Sequence, residues 1–492
     1  MTIIVLAALL CSAAFYLVVG FALGHKNKLL GDLFPVIFGR NAKVSSSDEF
    51  SASTTATTIS LATVVLAYFE LAGYFGLWLL WTVATTVVGV WLFSRVSGQI
   101  WKKMTLYTHR PSMHEFIGIE YNSKIASIVA SFCTSIGFLL IFATELIVGS
   151  KFLAGLVPSV PQWVSVVFLS SVGFLYTLYG GFRAVIKTDQ YQMKFIWVLI
   201  AVLGAYYVYY IFQHGSWEAA TSKIPDGLLS FSYKPGLGFF LLGIAVMNIP
   251  LFISNMSMWQ RVSGVEDPEI LTHGIKKSIW GVGASWTLLC LLACFAYMIV
   301  TPTSNQTLLT ELLIVVGSST VGKLILFLIV VGLYGAMLST ASTNLIVVGH
   351  TVSEDIIAKL RNGNFEARID SKKEFRLSRF ILLGATLVAI FLVEGLKYFG
   401  FSIADLAFSI YGGAIALFPP VLLALYLPRE QLRRFSMHTT WAIILGFVFG
   451  WGAALYGKAV GDSNLIFLSP CFSLVASSVI MGWGLISKKK AV

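Results

Sequence analysis

A run of about 20 consecutive apolar residues is the length a helix needs to cross a bilayer, and this chain repeats such a run thirteen times. The runs lie near 3–23, 54–72, 75–95, 124–149, 163–182, 190–213, 237–259, 276–301, 321–350, 378–396, 402–427, 439–457 and 464–486. Hydrocarbon offers no partner to a backbone N–H or C=O, so each run is expected to satisfy its own polar groups as a helix. Composition agrees: 57% of the residues are hydrophobic and 12% are charged, where a soluble protein has about 25% charged residues. Mean hydropathy is +0.82. No linker or low-complexity tract divides the chain, so residues 1–492 are expected to form one all-α integral membrane domain.

The net charge of +11 raises the question of a nucleic-acid partner, and its placement answers it. With the N-terminus outside, the loops facing in hold 26 Lys and Arg, including Arg110, Arg183, Arg261, Arg361 and Lys488, while the loops facing out hold 6, Lys151, Lys223, Lys234, Lys323, Lys397 and Lys458. That split follows the positive-inside rule. It predicts a plasma membrane protein, or a bacterial inner membrane one, with the N-terminus out and the C-terminus in. No positive charge is left over for nucleic acid. The first run is read as a retained helix and not a signal peptide, because no Lys or Arg precedes it and it is long enough to span. Cys11, Cys133, Cys290, Cys294 and Cys471 fall inside predicted helices without metal-ligand spacing, as small apolar residues do. The longest polar segment, SEDIIAKLRNGNFEARIDSKKEFRLSR, reads as a solvated cytoplasmic loop.

The ninth run carries a polar island, AMLSTASTN at 336–344. On a helix Ala336, Ser339, Thr340 and Thr343 share one face, with Ser342 on its flank. Such hydroxyls can bond back to the carbonyl four residues earlier or hold small-residue helix contacts. Clustered, they also suit a hard monovalent cation, which takes uncharged oxygen ligands. More oxygens become free where a membrane helix breaks, and SASTTATTIS at 51–60 favours a break near Ala56 to Ile59, since its Ser and Thr compete with helical backbone bonds. The alternative there is a capped helix start. In YTLYGGFRAVIKTDQYQ, at 176–192, Gly180 and Gly181 mark a tight turn, and Asp189 opens the next helix as a cap or as the charge of a second cation site. Glu70, near the outer end of the second run, lines a vestibule or reaches water at the membrane surface.

Four segments in order, ATTIS at 56–60, PSMHEFIGIEYNSK at 111–124, the YGGFRAVIKTDQYQ turn and AMLSTASTNLIVVGHTVSEDI at 336–356, resemble the sodium/solute symporter family, with relatives that carry proline, galactose and sialic acid. NIPLFISNMSMWQR at 248–261 resembles the family's seventh helix. The resemblance implies about 13 transmembrane helices with a five-plus-five inverted repeat, a LeuT-like core at 51–427 made of helices 2–6 and 7–11. A first helix and loop at 1–50 and two helices at 428–492 would be peripheral. It implies a principal sodium site made by the carbonyls of Ala56, Ile59 and Ala336 and the hydroxyls of Ser339 and Thr340, and a second sodium at Asp189, Ser339, Ser342 and Thr343. Solute would sit near Thr63, Trp81, Asn248, Leu251 and Tyr411. Sugar symporters place Tyr at the position of Leu251 and proline symporters Asp at that of Thr58, so neither specificity carries over. The implied function is sodium-coupled symport of a small organic solute by alternating access, by a monomer in a lipid bilayer. A non-transporting receptor or a sodium channel on the same fold is the alternative. An enzyme is not expected, because no HExxH pair or Ser/His/Asp grouping is present on facing helices.

Overall fold

The computed structural model describes residues 1–37, 39–301, 307–362 and 371–487. Among these residues the chain is helical apart from loops and one isolated β-bridge between Val44 and Val265. Eleven segments are long and apolar enough to cross a membrane. Two of them, Leu61–Met104 and Gln162–Gln213, run for 44 and 52 residues, about twice what one crossing needs. Each contains a glycine with positive φ, Gly76 at 54° and Gly181 at 61°. A Cβ on Gly76 would come 2.2 Å from the Leu228 carbonyl oxygen, and one on Gly181 would come 2.9 Å from that of Leu33. A side chain is thus excluded both by conformation and by space. Gly76 and Gly181 thus divide these two segments into two helical arms each.

The second span is interrupted where the Ser/Thr cluster predicts. Helix Ser47–Thr58 stops, Ile59 and Ser60 leave helical geometry, and helix resumes at Leu61. Ser60 caps the new start by accepting from the Thr63 N–H at 2.8 Å. The seventh span is interrupted as well, which corrects the reading of 237–259 as one helix. Leu237–Leu251 ends just after Pro250, and Met256–Ser263 begins after the Asn255 side chain accepts from the Ser257 N–H at 2.9 Å. Proline removes a donor and Asn and Ser offer the backbone other partners, so the helix parts there. Interrupted spans thus stand five apart in chain order.

The ninth span, Thr320–His350, is the centre of the bundle, and every residue from Ile329 to His350 is buried. It packs against the first span, the fourth, and both arms of Gln162–Gln213. No side of this stretch faces lipid, so a polar island on it costs nothing in hydrocarbon exposure. Ion pairs between loops join charges expected on the same face: Arg429 with Glu120 at 2.9 Å and Lys277 with Asp48 at 2.6 Å on one, Lys458 with Asp405 at 3.3 Å on the other.

Three polar readings need correction. Arg110 and Arg261, counted as loop charges, are each 1% exposed. The segment after His350 continues as a wound helical stretch, Thr351–Ala358, and is not a solvated loop at its start. Asp355 there meets His114 at 3.0 Å, and Lys359 donates to Ser127 at 2.8 Å, both pairs inside the protein. Residues 363–370 of that segment lie outside the described residues.

Candidate functional site

The five expected ligands of the principal site are all in the interior, with Ala56, Ile59 and Ser339 fully buried, Ala336 1% and Thr340 3% exposed. The ninth span packs against the helical pieces on both sides of the Ile59–Ser60 break. Hydroxyls elsewhere in the bundle show the ordinary alternative. Ser131 donates to the Ser127 carbonyl at 2.8 Å and Thr144 to that of Leu140 at 2.7 Å. Ser342 follows the same habit, donating to the Ser339 carbonyl at 3.3 Å. The hydroxyls of Ser339 and Thr340 do not: both are buried without a hydrogen-bond partner, as are those of Thr54, Thr55, Ser135, Thr177, Thr351 and Ser473, but only these two are adjacent on the ninth span. A buried hydroxyl without a partner costs on the order of 1–3 kcal/mol. Two side by side, at a helix break, form a set of oxygens open to a cation.

Asp189 lies eight residues past Gly181, inside the resumed helix and fully buried, so it is not an N-cap. Its Oδ2 accepts from Ser53 at 2.5 Å and from an Arg261 guanidinium nitrogen at 3.2 Å. The same guanidinium donates to Thr343 at 3.2 Å, to Ser53 at 3.0 Å through Nε, and to Thr57. Of the residues expected around a second sodium, Asp189 and Thr343 are therefore brought together by a guanidinium. Arg261 is carried by Met256–Ser263, the helix that starts after the break at 252–255, where it donates to the Ser257 carbonyl at 3.1 Å.

Glu145 is a residue that the sequence reading missed. It sits within the fourth span, Lys124–Leu156, with no exposed surface. One carboxylate oxygen accepts from the Ser60 hydroxyl and from the Ala62 N–H, the latter at 3.4 Å. The other oxygen has no partner. The carboxyl thus clasps the start of the helix that follows the break, where a helix N-terminus favours negative charge. The signal was available: a lone carboxylate in an apolar run.

A cavity of about 120 Å³ lies beside this region and brings together four of the five expected solute neighbours, Thr63, Asn248, Leu251 and Tyr411. Trp81 is not among them. It is 41% exposed and its indole N–H donates outward to the Leu241 carbonyl at 2.9 Å. Its helix instead turns Thr82 and Thr86 inward, and Trp286 supplies the indole at the cavity. Asn248 is tied to that helix by donating to Thr86 at 3.0 Å and Thr85 at 3.2 Å. No residue lining the cavity carries a formal charge; hydroxyls, amides and aromatic rings make its polar surface.

No protein-family model matches the chain. A sodium/glucose cotransporter of Vibrio parahaemolyticus is 29% identical over 157 residues, which are 30% of this chain and 27% of that protein, so the match spans about a quarter of the relative's length. A sodium-coupled sialic acid symporter, in a substrate-bound outward-open state, superposes with a TM-score of 0.67 at 15% identity, covering 96% of this chain and 98% of that one. A transporter of the nucleobase-cation-symport-1 family, closed around bromovinylhydantoin, reaches 0.53 at 13% identity over 93% and 96%. A manganese transporter of Eremococcus coleocola reaches 0.53 at 13% over 95% and 100%. The fold is that of LeuT-type transporters. The sequence match, over about a quarter of the relative's length, is likewise to a sodium-coupled cotransporter.

Proposed function

We propose that this protein is a secondary transporter that moves a small organic solute together with sodium. The observation that carries the reading is the pair of buried hydroxyls without partners, Ser339 and Thr340, on a span packed against the break at Ile59–Ser60, where the Ala56 carbonyl keeps one hydrogen bond, from the Ile59 N–H at 3.0 Å, and loses the regular helical one. Sodium bound there would hold the two halves of the second span against the ninth. Solute would occupy the uncharged cavity at Thr63, Asn248, Leu251 and Tyr411. The interrupted second and seventh spans support an inverted-repeat core over 51–427, with 1–50 and 428–492 peripheral. The charge bias supports an N-terminus outside and a C-terminus inside. One sodium accompanies each solute, because Arg261 already supplies positive charge to Asp189 and Thr343. The monomer is the working unit.

Protein reconstituted in liposomes tests the reading. An inward sodium gradient should drive uptake from a mixture of small metabolites, and an equal potassium gradient should not. Sodium should also raise the thermal stability of the purified protein. Absence of both effects would overturn the proposal.

A further inference from the structure

Glu70 is the sequence feature that this transport scheme leaves without a task. The structure sets it on the wall of a second cavity, about 620 Å³, on the face that the charge bias puts outside. Lys151 lines the same cavity. Among the described residues neither charge has an ion-pair partner, and the two do not pair with each other. The nearby carboxylate of Asp405 is already engaged, by Lys458 at 3.3 Å and by the Ser402 N–H at 3.1 Å. A negative and a positive group, both exposed and close enough to feel each other's charge, thus face one cavity without forming an ion pair. Much of the remaining wall is apolar, including Ile147, Phe152 and Leu406.

A solute bearing one charge would satisfy one of these groups and leave the other facing it with like sign or with none. A solute bearing both charges satisfies both at once. We propose that this outer cavity captures a zwitterion of the α-amino acid type, its ammonium group on Glu70 and its carboxylate on Lys151, with an apolar side chain against Phe152 and Leu406. The proposal rests on the symporter reading and names its solute class. The position suits a first stop on the way in. Leu66 and Leu406 line the outer cavity, while Thr63 and Ala407, on the same two spans, line the uncharged one.

The test uses the full chain in detergent with sodium present and three probes: L-leucine, L-leucine methyl ester with its ammonium alone, and N-acetyl-L-leucine with its carboxylate alone. Equilibrium binding should favour leucine by at least about tenfold over either analogue, since each lacks one charge-assisted contact. Glu70→Gln should weaken leucine about tenfold and leave N-acetyl-leucine unchanged, and Lys151→Met should weaken leucine and leave the methyl ester unchanged. The double exchange Glu70→Lys with Lys151→Glu should recover most of the leucine affinity, because the same two charges face the cavity in reverse order. Leucine binding no tighter than its analogues, or binding unmoved in both single variants, would overturn capture. Sodium-induced thermal stabilisation is measured on the same samples. If it persists while the leucine arms fail, the capture site falls and the symporter reading stands. If sodium has no effect on the wild type, the symporter reading falls, and the leucine arms still decide the capture site.

Discussion

Arg261 and Asp189 meet at 3.2 Å with side chains 1% and 0% exposed, in the middle of the oxygens expected to hold a second sodium. Removing one partner of such a pair leaves a buried charge uncompensated, at about 3–5 kcal/mol. Asp189→Asn should therefore lower the thermal stability of the protein by that order. Adding Arg261→Gln to the same chain should return most of it. In liposomes, the voltage that stops net flux should report one sodium per solute in the wild type. A ratio of two would mean that sodium displaces or joins the guanidinium.

In the proposed sodium site, Ser339→Ala and Thr340→Ala would each remove one oxygen from a desolvated ion. The sodium concentration for half-maximal uptake should rise on the order of tenfold in each. Ser342→Ala, which removes a hydroxyl bonded to its own helix, should leave it within about twofold. If the three variants behave alike, the principal site is assigned to the wrong hydroxyls.

Glu145 should tolerate an amide better than a methyl group. Glu145→Gln keeps an acceptor for Ser60 and Ala62, whereas Glu145→Ala orphans both donors at a cost of about 1–3 kcal/mol. Thermal unfolding in detergent would separate the two variants, and equal loss would show that the clasp on the break is not what Glu145 provides.

At the face expected inside, Glu49 accepts from Arg183 at 2.5 and 2.9 Å. Burial works to raise its pKa, but the hydrogen bonds from Arg183 and the Ser45 N–H and the charges of Arg183 and Lys187 outweigh that and hold it below the ordinary carboxylate value. A depressed carboxyl contributes stability above the unfolded pKa and loses it as pH falls through the folded one. Acidification below about pH 4.5 should thus cost the wild type stability that Arg183→Gln, already lower at pH 7, no longer has to lose. Parallel pH curves for the two proteins would contradict this.

Orientation is open to labelling with a membrane-impermeant thiol reagent, in a chain whose own exposed cysteine, Cys11, is first replaced. Lys373→Cys should react only from the cytoplasmic side and Lys223→Cys only from outside. The reverse pattern would invert the charge-based topology.

Apolar length made the spans legible in the sequence, and the Ser/Thr cluster before Ile59 announced the first break. The second break was hidden because FISN at 252–255 reads as a continuation of an apolar run, and its cause, Pro250 with the Asn255 cap, is local chemistry without a hydropathy signature. That miss produced another. Treated as the end of a continuous helix, Arg261 counts as a loop charge; on a buried helix that starts after a break, it is the partner of Asp189. Trp81 lies away from the cavity for a different reason. Helix phase, which puts Thr82 and Thr86 at the cavity, decides which neighbour of a residue faces in, and a motif does not carry that phase.

The cavity lined without a formal charge has an electrical consequence. A net-neutral solute crossing with one sodium would carry one elementary charge per complete cycle. Because no fixed charge lines the cavity, the loaded carrier is the charged form and the empty one is neutral there, so voltage acts on the loaded step. A cell held at 100 mV, negative inside, then adds about 2.3 kcal/mol to each turnover, enough to concentrate the solute about fiftyfold with no sodium gradient at all. Transport would be visible as inward current, and it would slow as the membrane is depolarised.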